Sequence, residues 1–123
     1  MLQCWGKDRG NGDLIWETRQ MDGNMFATRL RLARERMGFT QKKLGILIGL
    51  TPSVASPRIN RYERESLQPN VTTVARISKV LQVSPSYFYE PDDLIAEIIL
   101  RLNRMPRANV EALLSSLPPL EPK

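Results

Sequence analysis

Residues 39–65 read FTQKKLGILIGLTPSVASPRINRYERE, and the fold turns on how this stretch is divided. Thr40 can cap a helix with its hydroxyl, and Gln41-Lys42-Lys43-Leu44 supply the first turn. That helix should run to about Ile48, where Gly49 ends it by taking the left-handed backbone conformation at low cost. A second helix should follow, with Ile59 and Tyr62 inward and Arg58, Asn60, Arg61 and Arg64 around the rest. Its start has two candidates, because Thr51-Pro52 and Ser56-Pro57 both have the order of a cap followed by proline. A start at Pro52 places Pro57 in the helix interior, at a cost of about 3 kcal/mol or a kink. A start at Pro57, with Ser56 as N-cap, avoids that cost and leaves residues 51–55 as a longer turn or a separate helical turn. The later start is preferred, and the kinked helix is its competitor.

Two short helices about a glycine-containing turn, the second carrying Arg and Asn, have the layout of a helix-turn-helix aimed at DNA. The segment from Met25 to Glu90 resembles the lambda-repressor-like (Cro/repressor, XRE) helix-turn-helix family. The residues that carry the resemblance are Leu30-Arg31 with Arg34, Phe39-Thr40-Gln41 with Leu44-Gly45, and Gly49-Leu50. Further on come Ile59-Asn60-Arg61-Tyr62-Glu63, Pro69, and then Ile77, Leu81 and Val83-Ser84. The chain departs from the family in one place: between Gly49 and Glu63 it is about four residues longer than the usual spacing.

The resemblance implies an all-α, five-helix DNA-binding domain and a transcriptional regulator, a repressor acting as a homodimer on a palindromic operator. It also implies that Arg34 pairs with Glu63, tying the first helix to the end of the recognition helix. Gln41 stands where the family places a phosphate-contacting side chain, and a helix start favours an anion there on its own account. Ser56, Arg58, Asn60 and Arg61 fall where the family reads bases. Arg58 or Arg61 can fork onto guanine O6 and N7, and Asn60 can pair with adenine N6 and N7. A phosphate contact is about as common an outcome for any one of them. Lys42, Lys43 and Arg64 are assigned to the DNA backbone alone.

Charge is distributed accordingly. The chain of 123 residues carries a net +5. Residues 25–90 hold eleven Lys/Arg against four Asp/Glu, a net of +7, and the flanking segments are each −1. The positive excess therefore lies in the segment that resembles a DNA-binding unit, as phosphate contact requires. There is no histidine and a single cysteine, Cys4, so the usual catalytic and metal-ligating constellations are missing from the sequence. An enzyme is not expected, nor a catalytic residue, a cofactor or a metal. No apolar run approaches the roughly 20 residues of a membrane helix, and one cysteine suits a reducing cytoplasm.

Residues 1–24, punctuated by Gly6, Gly10, Gly12 and Gly23, read as a flexible leader, with Leu14-Ile15-Trp16 a conceivable anchor. In the first helix Phe26, Leu30, Ala33 and Met37 fall on one face, and Gly38 stops it. Gly45 lets the two helices of the motif approach closely, which offsets its cost of up to ~1 kcal/mol in a helix interior. A fourth helix over residues 71–81 points Val74, Ile77 and Leu81 inward, and Tyr87-Phe88 closes the core after Ser84-Pro85. Asp92-Asp93 reads as capping chemistry. Beyond it, residues 91–123 form a helical extension with two apolar stripes, Leu94, Ile95, Ile98, Ile99 and Leu102, then Val110, Leu113, Leu114 and Leu117. Such stripes need a partner surface, and a second copy of the chain is the favoured one. The rival from another class is an antitoxin-type module whose extension binds a different protein and whose DNA binding is autoregulatory.

Overall fold

Helix α1 (Gly23–Arg36) buries Phe26, Leu30 and Ala33 along one stripe and ends where Gly38 takes φ +74°. The computed structural model describes residues 23–121, so the expectations for Cys4, for residues 14–16 and for the rest of the leader lie outside the described residues. Helix α2 (Gln41–Leu47) starts as its sequence requires. The Thr40 hydroxyl accepts the Lys43 amide at 3.0 Å, which satisfies one of the donors that a helix start leaves free. Leu44 and Ile48 go into the core, and Gly49, at φ +102°, turns the chain towards the next helix.

Helix α3 corrects the preferred reading of its start. It runs Pro52–Glu63, with Thr51 as N-cap residue and Pro57 inside, so Ser56 lies within the helix instead of capping it. Two physical reasons account for this. Four extra residues amount to about one turn of 3.6, so lengthening the helix keeps Ala55, Ile59 and Tyr62 on one buried face. The penalty of Pro57 also falls on the solvent side: Pro57 is exposed, and so is Ser53, the residue whose carbonyl its missing N–H would have served. Packing of Ala55 and the added turn outweigh that cost.

Helix α4 (Val71–Leu81) is capped by Asn70, whose side chain accepts the Thr73 amide at 2.8 Å, and it ends with Gln82 in the left-handed region. A short 3₁₀ turn (Pro85–Tyr89) then drives Tyr87 and Phe88 into the core, where Phe88 meets Phe26 at 5.3 Å between ring centroids. Burial pushes the Tyr87 hydroxyl above its ordinary pKa, opposed by the nearby Arg29 guanidinium.

Helix α5 (Asp93–Asn103) is capped by Asp92, which accepts the Leu94 and Ile95 amides at 2.8 and 3.2 Å. The core does not stop at Glu90, because Ala96 and Leu100 of α5 join the same cluster as Leu30, Ile77 and Phe88. Buried Arg29 fixes the junction by donating to the Glu90 carbonyl at 2.8 Å and pairing with Asp93 at 3.0 Å. Helix α6 (Arg107–Ser116) is different: none of its residues is buried. The described residues are thus six α-helices and one 3₁₀ turn, with no strand among them.

Candidate nucleic-acid interface

The relative placement of α2 and α3 is set by one contact between small residues. A Cβ built on Gly45 would lie 2.6 Å from the Cβ of Ala55, 2.7 Å from its Cα and 2.8 Å from its carbonyl oxygen. Carbon atoms pack comfortably at about 3.5–4.0 Å, so the two helix backbones are closer than any residue but glycine allows.

A polar cluster fixes the far end of α3. Arg34 Nε donates to Glu63 Oε2 at 2.6 Å, Arg34 Nη2 reaches Oε1 at 3.1 Å, and Arg34 Nη1 donates to the Phe39 carbonyl at 2.8 Å. Gln41 Nε2 donates to Glu63 Oε1 at 3.1 Å. The Glu63 side chain is only 5% exposed and that of Arg34 only 12%. One carboxylate therefore gathers α1, the start of α2 and the end of α3. Ion pairs of this burial are worth little as net stability but are costly to break, so the cluster acts as a geometric constraint.

With one face of α3 held in this way, the opposite face carries the residues that are exposed or half-buried. Counting about 100° per residue from the buried Ile59, Asn60, Ser53, Pro57 and Arg61 lie between about 100° and 200° away, and Arg58 lies at its other flank. Arg61 is exposed, and Arg58, Asn60 and Ser56 are half-buried. Lys42 and Lys43 stand exposed on the first turn of α2, and Arg64 stands exposed just past α3. Among the described residues, none of Lys42, Lys43, Arg58, Arg61 or Arg64 enters an ion pair, whereas Arg29, Arg34, Arg36, Arg101 and Arg107 all do. Gln41 belongs to both groups, since its side chain is half-buried and already engaged with Glu63. The structure adds Ser53, which the sequence reading left in a turn and which stands exposed at the start of α3. Its signal was Thr51-Pro52, the earlier of the two cap-and-proline pairs.

Known proteins share this fold. Residues 30–88 match the family model described as helix-turn-helix. The crystal structure of the transcriptional regulator BswR is 42% identical, superposes with a TM-score of 0.69, and covers 72% of this chain and 88% of its own. The chain belongs to the lambda-repressor-like (Cro/repressor, XRE) helix-turn-helix family. Repressor protein C2 of Salmonella phage P22 is 31% identical over 72 residues, which are 58% of this chain and 32% of that protein. An HTH-type transcriptional regulator of Sinorhizobium medicae (strain WSM419) is 33% identical over 63 residues, 51% of this chain and 42% of that protein. The chain thus spans a third to under a half of the length of these two relatives. The family is one of DNA-binding transcription regulators, which is not an enzyme class. Among the described residues no group of three or more His, Cys, Asp or Glu is placed to hold a metal, and no helix is long and apolar enough to cross a membrane.

Proposed function

We propose that this member of the helix-turn-helix regulators is a sequence-specific repressor that grips a palindromic double-stranded operator as a homodimer in the cytoplasm. The observation that carries this reading is the asymmetry of α3. Its inner face is pinned by Gly45, Ala55 and Glu63, while its outer face presents Asn60 and Arg61, and Arg61 has no carboxylate partner among the described residues. Helix α3 enters the major groove, where Arg58 and Arg61 pair with guanine, Asn60 pairs with adenine, and Ser53 and Ser56 approach base edges or phosphates. Lys42, Lys43 and Arg64 hold the DNA backbone. Gln41, whose amide group has one hydrogen on Glu63, offers the other to a phosphate.

Residues 25–90 supply the DNA-reading unit, and residues 91–123 supply the dimer contact. The support for the second assignment is the surface of α5 and α6. Leu94, Ile98, Leu113, Leu114 and Leu117 are all exposed, and α6 has no buried residue among the described residues, Val110 being half-buried. Unpaired apolar stripes of this kind belong at interfaces. A two-fold dimer also matches the family's way of reading two half-sites about 34–36 Å apart. The repressor role rests on the likeness to phage repressor C2. Selection of bound duplexes from random DNA by the full-length chain, followed by footprinting, tests the reading. An inverted repeat with two protected half-sites about one helical turn apart is expected. Failure to enrich any sequence, or a single asymmetric half-site bound by a monomer, would refute it.

A further inference from the structure

Pro57 is a costly residue in α3, and neither packing nor capping explains it. Proline is accounted for at a helix start, but α3 starts five residues earlier, at Pro52. Proline is also accounted for where its ring fills a core, but Pro57 is exposed while its neighbours Ala55 and Ile59 are wholly buried. Alanine at that place would be the better helix former. A residue that breaks a local rule with no structural return is expected at a functional or strained site.

The direction of the ring says which function. Two residues before Ile59, at about 100° per residue, Pro57 lies about 160° from the core and near the middle of the outward face. Ser53 is one turn before it, and Asn60 and Arg61 are one turn after. On a helix face that enters the major groove, hydrogen-bonding side chains read base donors and acceptors. The methylenes of proline can do neither. The one apolar group that a base pair shows in that groove is the C5-methyl of a pyrimidine. We propose that Pro57 packs on a pyrimidine 5-methyl group, of thymine or of 5-methylcytosine, at one position of each half-site. This rests on the DNA-reading role of α3 proposed above.

The test uses the full-length chain and the duplex it selects from random DNA. In one half-site each thymine is replaced in turn by uracil, and each cytosine in turn by 5-methylcytosine. If the methyl is thymine's, one uracil substitution weakens binding about fourfold, the value of one buried methyl group. If it is 5-methylcytosine's, one methylation strengthens binding by the same factor. In Pro57→Ser the effect at that position falls to near one, while the other positions keep theirs. Pro57→Ala, which should melt higher than the wild type, keeps the test independent of misfolding. Binding indifferent to every methyl, or an effect that survives in Pro57→Ser, would overturn the proposal and leave the DNA-binding reading standing. A chain that selects no sequence at all would overturn both.

Discussion

Gly45→Ala places a methyl group in the close contact between α2 and α3, and its cost follows from the distances. The new Cβ meets Ala55 Cβ at 2.6 Å, Cα at 2.7 Å and the carbonyl oxygen at 2.8 Å. Relief requires α2 and α3 to part by roughly 1 Å, because two of the three atoms are backbone and no rotamer can yield. Overpacking of this kind costs about 1–3 kcal/mol, against a helix-propensity gain of up to ~1 kcal/mol on replacing glycine. The net expectation is a loss of about 1–2 kcal/mol. For a domain of this size that is a fall in Tm of about 5–15 °C. Urea denaturation followed by circular dichroism should show a lower midpoint with an unchanged slope. Combining it with Ala55→Gly removes only the 2.6 Å contact, so the double variant should recover only part of the loss. A Gly45→Ala protein as stable as the wild type, or full rescue by Ala55→Gly, would refute the inference that backbone approach sets the angle of the motif.

Glu63→Ala strands the Arg34 guanidinium, whose side chain is 12% exposed, with only the Phe39 carbonyl and a distant Glu35. About 3 kcal/mol of stability should be lost, and Arg34→Met with Glu63→Leu should recover most of it in the same denaturation assay; equal losses in single and double variants would contradict this. Ser78 Oγ is buried with no hydrogen-bond partner among the described residues. Ser78→Ala should therefore stabilise the chain by about 1 kcal/mol, read as a higher Tm. Ending the chain after Arg104 should leave the monomer's core intact and weaken any concentration dependence of melting, because Leu113, Leu114 and Leu117 are lost while Leu94 and Ile98 of α5 remain. Ending it after Glu90 should also remove Ala96 and Leu100 from the core, at about 2 kcal/mol or more.

Much of the fold was legible because local signals and burial agree in it. Thr40 and Asp92 cap the helices they precede, and Val74, Ile77 and Leu81 point inward as their spacing requires. The start of α3 was not legible, because local and tertiary terms disagree there. The cost of Pro57 is written in the sequence, whereas the contact that outweighs it joins Ala55 to Gly45, ten positions away in the chain. The same limit applies to α5. Its capping and stripe were readable, yet nothing local says that Ala96 and Leu100 belong to the core of the preceding helices. At the candidate site, residue types gave the exposed cations Lys42, Lys43, Arg61 and Arg64, but the engagement of Gln41 by Glu63 depends on how three elements meet.

The most direct test is the affinity of the full-length chain for its selected duplex, measured against salt concentration for the wild type and for Arg61→Ala. With α3 in the major groove, log K of the wild type falls linearly with log salt at about 0.9 per neutralised phosphate. Arg61→Ala then loses about 1–3 kcal/mol on the selected duplex and relaxes its preference at one base pair. A flat salt dependence, together with Arg61→Ala binding as the wild type does, would contradict the account at its centre.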